Sequence, residues 1–437
     1  MGIIGLILAV ALLVVGAYKG MGALLLALLA TAVVIVFNGL SFVEGLTQTF
    51  MQGFTGAFMN FFLLFAVSAL YAHVMDKSGS ATAIGYKLID WFGRKRVMLV
   101  SLLIVAILTY GGVSLFVVVF AVAPILFLLF REANLPRHLV VAPLVAGAST
   151  FTMVALPGSP ALTNVIPTAF LGTTLTAAPI MGLIASLLIF AGVMAYMMWA
   201  EKRARARGEE WDEGGNLAAI QERSTLPNPI IAFIPILVVL AIIIIGGQFF
   251  ANATLLTIIA MLIGTALVLL LNWNRFRGEN IVKILGSGLD GGISAIAPFA
   301  AILGFGAVVA STPAFQSIIQ WLIGLNINPY AKGVLATAAV AGVTGSSSAG
   351  LNIMYANLAE YFIASGANLD ALHRLTAIAA SSLDTLPHAG GLFLMFAVLG
   401  LSHKNAYRHV FFNTVVVTSI VTIIMLIATI LLFPVGA

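Results

Sequence analysis

The sequence has 437 residues, of which 61% are hydrophobic and only 8% are charged, against roughly 25% charged in an ordinary soluble domain. That composition excludes a soluble fold, and the lack of cysteine excludes disulfides, thiolate metal sites and cysteine nucleophiles. The net charge of +5 suggests nucleic acid or an anionic surface only if the basic residues cluster accordingly, so their placement decides its meaning.

In chain order, apolar runs bounded by Gly, Pro or charge predict spans near 2–18, 21–38, 57–75, 97–130, 138–175 and 179–199. After a polar stretch they continue near 229–246, 252–272, 291–310, 331–363, 371–401 and 410–433. The first run has no basic start or small-residue cleavage site, so it is expected to be a retained helix and not a signal. Residues 201–227 form a charged aqueous linker that divides the chain almost in half. The expected units are therefore 1–200, the linker 201–227, and 228–437.

The two halves follow one plan. Each has two spans, a Gly-rich polar connector (Gly45 to Gly56; Gly286 to Gly292), a third span and a short amphipathic stretch (Ser78 to Phe92; Thr312 to Leu325). A long segment with a small-residue centre, a proline-broken helix and a closing span complete each half. Gly112 and Gly345 lie 233 positions apart, His138 and His373 235, and Pro157 and Pro387 230. An internal repeat accounts for that steady offset.

Segments 97–130 and 331–363 are long for one crossing and carry flexible centres, Gly111-Gly112-Val113-Ser114 and Thr344-Gly345-Ser346-Ser347-Ser348-Ala349-Gly350. Glycine frees the backbone and hydroxyls re-satisfy it, as at the tip of a re-entrant hairpin; two spans with a short loop are the alternative. With hairpins, each half crosses five times, and an odd number inverts the second copy. An outside amino terminus then puts 18 of the 20 Lys and Arg on the cytoplasmic side, leaving Lys332 and Arg374 outside. The charge is thus a topological signal, and nucleic acid is not needed as a partner. The expected fold is an all-α polytopic membrane protein of two inverted repeats, with both termini outside.

Function at membrane depth needs polar groups beside irregular backbone. Leu156-Pro157-Gly158-Ser159-Pro160 through Asn164 interrupts one helix, and Asp384-Thr385-Leu386-Pro387-His388-Ala389-Gly390-Gly391 interrupts another. Half-helix amino termini bind anions without a formal cation, and no Lys or Arg is expected near the midplane. Gly158, Ser159, Thr163 and Asn164 from the first break, Thr385 and His388 from the second, and Gly112, Ser114, Ser346, Ser347, Ser348 and Asn352 from the tips are the expected substrate-binding residues, converging on one central site. Asp384 and His388 are the expected proton-coupling pair, an acid and an imidazole together at a break. Capping by Asp384 and backbone bonding by His388 are the competing structural readings. His403 and His409 are placed in a cytoplasmic loop and not as metal ligands. Phosphate-loop and His-Glu-x-x-His motifs are absent, so no cofactor and no enzymatic role are expected, and an ion gradient is the expected energy source.

The run Leu383-Asp384-Thr385-Leu386-Pro387-His388-Ala389-Gly390-Gly391, with Gly400-Leu401-Ser402-His403-Lys404-Asn405-Ala406-Tyr407, resembles the carboxy-terminal region of the gluconate permease (GntP) family. Gly111-Gly112-Val113-Ser114 followed by Pro124-Ile125 is similar to that family's first hairpin. The resemblance implies an ion transporter superfamily fold working as an elevator, with a homodimeric scaffold and mobile transport regions in the bacterial inner membrane. It also implies proton-linked import of sugar acids or short hydroxy acids such as gluconate, glycerate or 3-hydroxybutyrate. The Asp-Thr-Leu-Pro-His run looks more like the short hydroxy-acid branch than the gluconate branch. Neither tip carries the Ser-Asn-Thr of sodium-coupled relatives, which tilts the expectation to protons without excluding sodium. The rival readings are a cation/proton antiporter or oxyanion exporter on the same scaffold, and a channel.

Overall fold

The computed structural model describes residues 1–212, 225–246, 249 and 252–435, and every regular element among them is helical. A bilayer offers no water to satisfy backbone N–H and C=O groups, so apolar segments must close their hydrogen bonds within themselves. Among the described residues eight helices are long and apolar enough to cross a membrane. The chain is an all-helical, multi-pass membrane protein.

The first half runs α1 (Gly2–Tyr18), α2 (Ala23–Asn38), α3 (Phe42–Lys77) and the amphipathic α4 (Ser80–Phe92). A helix–turn–helix of α5 (Val97–Tyr110) and α6 (Leu115–Glu132) follows, then α7 (Arg137–Val154), α8 (Leu162–Leu171) and α9 (Pro179–Ala206). The second half runs α10 (Pro229–Gly246), α11 (Ala253–Leu271), α12 (Ile281–Ser311) and the amphipathic α13 (Pro313–Gly324). Its own helix–turn–helix is α14 (Pro329–Thr344) and α15 (Ser347–Ala364), followed by α16 (Leu369–Leu383), α17 (Gly390–Leu399) and α18 (His403–Leu432). Element follows element in the same order on both sides of the linker.

The sequence places Gly45 to Gly56 and Gly286 to Gly292 in connectors, but both are helical, inside α3 and α12. Gly53 and Gly292 serve close approach. The Cβ that Gly292 lacks would come 2.4 Å from Ala66 Cα, and that of Gly53 would come 2.6 Å from the Leu303 carbonyl. At these two positions α3 and α12 approach backbone to backbone, within the most extensive helix–helix contact among the described residues. The π-helical turn Gly45–Phe50 marks where α3 adjusts its pitch beside α12.

The linker also starts later than expected, because Glu201 to Ala206 continue α9; residues 213–224 of it lie outside the described residues. His403 and His409 are not in a loop but buried in the first turns of α18. Burial locates the core: 89% of the Arg137–Val154 helix is inside the protein, against 22% of Pro229–Gly246. α7 and α16 thus lie in the interior, and α10 is largely exposed on the outside of the protein. At 1.5 Å per residue, the ten-residue α8 and α17 are each about 15 Å long, half a hydrocarbon core.

Candidate functional site

The second break lies between α16 and α17. Pro387 has no N–H to give, the chain from Asp384 to Ala389 leaves the helical path, and α17 restarts at Gly390. The turn between α14 and α15 sits directly on this break. Gly345 has φ +61°, and a Cβ added there would lie 2.9 Å from Ala389 Cα. Two helix amino termini, of α15 and α17, therefore open on the same place with the N–H groups of their first turns.

Asp384 is the one acid among the buried residues that the structure describes. Its carboxyl meets the Ser347 hydroxyl and the backbone N–H groups of Asp384 and Thr385, while Oδ1 has no hydrogen-bond partner among the described residues. His388 Nε2 stands 3.3 Å from the Val343 carbonyl. A carbonyl only accepts, so Nε2 carries a proton and Nδ1, buried without a partner among the described residues, is the nitrogen left to exchange one. Ser346 caps α15 by accepting from the Ala349 N–H, and its hydroxyl is 3.3 Å from that of Ser348.

α18 closes this site from behind. Its π-helical segment Phe411–Val416 turns Thr414 toward the break, where its hydroxyl lies 2.5 Å from that of Thr385. Tyr407 donates to the Thr385 carbonyl at 3.2 Å and His403 Nε2 to the Pro387 carbonyl at 2.8 Å. Arg137 Nη2 donates across the halves to the Leu399 carbonyl, at the end of α17, at 2.7 Å.

The first break, Ala155 to Ala161, meets the other turn in the same way. Tyr110 donates to the Pro157 carbonyl at 3.1 Å, and a Cβ on Gly112, whose φ is +98°, would lie 3.1 Å from Pro160 Cγ. Its chemistry is different, since neither the break nor the turn carries a carboxylate or an imidazole. Ser159, Thr163 and Asn164 are buried here, but their polar groups are engaged internally. Thr163 donates to the Met153 carbonyl, and Asn164 Nδ2 donates to the Ser159 and Leu175 carbonyls at 2.8 Å each. Asn164 Oδ1 is left to accept from His373 Nε2 at 2.9 Å, and His373 Nδ1 then accepts from Thr173 at 2.7 Å.

Of the residues named from sequence, Ser346, Ser347, Ser348, Asp384, Thr385 and His388 are brought together in one place. Gly112, Gly158, Ser159, Thr163 and Asn164 assemble at the first break. Ser114 and Asn352 are exposed, and the Asn352 amide bonds the Ser348 carbonyl of its own helix. The structure thus shows two tip-and-break pairs, tied together where α8 packs on α15 and α6 on α17. Sequence reasoning missed Thr414, Tyr407, His373, Arg137 and above all Arg374, which it assigned only to the outer side of the membrane and gave no role in the site, and which is fully buried. Arg374 Nε and Nη2 donate to the Ala177 carbonyl at 3.2 and 3.0 Å, and Nη2 also to that of Leu175 at 3.1 Å. The pairing of His373-Arg374 with Arg137-His138 in the other half was the available signal. No group of three or more His, Asp or Glu placed to hold a metal ion occurs among the described residues.

Comparison with known proteins identifies the family. The family model described as GntP family permease matches residues 1–433. An uncharacterized transporter of Bacillus subtilis (strain 168), YxjC, is 31% identical over 461 residues, covering 96% of this chain and 97% of that protein. The chain belongs to the GntP family of permeases and is a membrane transporter.

Proposed function

We propose that the chain is a secondary active transporter that imports a small hydroxy-carboxylate together with protons by alternating access. The observation that carries this reading is the second break. There a buried acid and a buried imidazole, each with a polar atom that has no partner among the described residues, lie beside two helix amino termini and the serines of the facing turn. Helix amino termini and hydroxyls suit a carboxylate bearing hydroxyl groups, while Asp384 and His388 can take up and release the coupled proton. The family membership supports an organic anion as the cargo.

In this reading the halves are inverted repeats, for which the matching element order is the support. The α3–α12 pair with α1, α2, α10 and α11 forms the scaffold of a homodimer, and the broken helices with the two helix–turn–helix units form the moving region of an elevator in the bacterial inner membrane. Both termini lie outside.

The test is uptake of a panel of radiolabelled hydroxy acids into proteoliposomes under an imposed pH gradient, with and without protonophore. Accumulation of one acid that protonophore abolishes is the expected result. Failure across the panel, with cations dissipating the gradient instead, would replace this reading by cation/proton antiport.

A further inference from the structure

We infer that Arg374 is the anion-selecting charge of the first break, contributed to the first half by the second. The inference rests on the reading of the breaks as the transport site and adds the residue that makes the site prefer an acid over a neutral molecule.

Arg374 lies in α16, yet its guanidinium is built into the first break. The Leu175 carbonyl that accepts from Arg374 Nη2 at 3.1 Å also accepts from the Gly158 N–H at 2.9 Å and from Asn164 Nδ2 at 2.8 Å. One carbonyl therefore separates the cation from the exposed Gly158 of the break. Gly182 of α9 confirms the proximity: the Cβ it lacks would stand 2.5 Å from the Ala155 carbonyl, 3.0 Å from Pro157 Cγ and 3.2 Å from Arg374 Nε. The absence of a side chain at Gly182 is what lets the guanidinium reach this depth. Arg374 is 0% exposed, and its Nη1 has no partner among the described residues, so one donor of the fork remains unused after the carbonyls are served.

A guanidinium stays protonated, so this charge is permanent. The two breaks then divide the work. The second carries the groups that exchange a proton, and the first carries a fixed positive charge that holds a carboxylate whatever the state of Asp384 and His388. A neutral polyol or amide of the same shape gains nothing from that charge.

The experiment measures binding and uptake by the full chain and by Arg374→Lys and Arg374→Gln. The probes are hydroxy acids, their amides and inorganic oxyanions, with substrate protection against thermal unfolding as a second readout. For Arg374→Gln the preference for the acid over its amide is expected to fall about 10- to 100-fold, as expected for a unit charge acting over several ångströms in a partly polar interior. Arg374→Lys, which keeps the charge and loses the fork, is expected to retain most of the preference. If both variants lose acid and amide uptake equally, or the glutamine variant folds and keeps its preference, the inference is overturned and Arg374 is only a clamp on the loop. Binding of inorganic oxyanions in place of any hydroxy acid would sink the proposed substrate; loss of oxyanion binding in Arg374→Gln but not in Arg374→Lys would then still support Arg374, and unchanged binding in the glutamine variant would overturn it. A wild-type chain that binds no anion would overturn both.

Discussion

Replacing Gly345 by alanine tests the contact between the second turn and the second break. The residue has φ +61°, and the new Cβ would sit 2.9 Å from Ala389 Cα, a backbone atom that cannot rotate away. The left-handed conformation costs a residue with Cβ roughly 1–2 kcal/mol, and relieving the overlap costs about 1–3 kcal/mol more. The least costly response is for the turn to lift off the break, which separates Ser347 from Asp384 and widens the place where the two helix amino termini meet. The expected outcome is an apparent KM raised by about tenfold or more, since ~1.4 kcal/mol is a factor of ten. The thermal midpoint in detergent should fall by only a few degrees, because most of the fold is untouched. Gly306→Ala is the control: it sits inside α12 with nothing within 4 Å of an added Cβ. A Gly345→Ala protein whose uptake and thermal midpoint both match that control would refute the reasoning.

Three further substitutions separate coupling, binding and packing. Asp384→Asn is expected to abolish accumulation driven by a pH gradient while leaving counterflow exchange of substrate; undiminished active uptake would remove Asp384 from the coupling role. Ser347→Leu fills the space beside the Asp384 carboxyl and is expected to prevent saturable binding, and a wild-type affinity in that variant would exclude the second turn from the site. Gly292→Ala puts a methyl 2.4 Å from Ala66 Cα and 2.7 Å from its N, forcing α3 and α12 apart. It is expected to cost about 1–3 kcal/mol of stability with KM unchanged, and an unaltered thermal midpoint would show that the crossing is looser than described.

Much of the architecture was legible in the sequence because its causes are local. Run length and hydropathy set the helices, proline and glycine set the breaks, and the left-handed glycines Gly112 and Gly345 set the turns. The observed α1, α2, α10 and α11 agree closely with the apolar runs. The expected convergence of both breaks and both turns on one central site is met only in part: Ser346–Ser348 lie with Asp384 and His388, while Gly112, Gly158, Ser159, Thr163 and Asn164 group at the first break, since each irregular segment is satisfied against the turn nearest to it.

What the sequence by itself determined is therefore the class: an all-helical membrane protein with two broken helices and two tight helix turns. Tertiary structure alone decided the roles of residues whose partners lie far along the chain. Gly53 and Gly292 read as connector glycines until the α3–α12 crossing showed what they make room for. Arg374 read only as one of two charges on the outer side until the fold brought it to Leu175 and Ala177. Asn164 read as a ligand, and the fold engages its amide with His373 and two carbonyls. The physical reason is common to all three. A glycine, a cation or an amide has several satisfactory environments, and nothing within a few residues selects among them. Only the packing of one half against the other does.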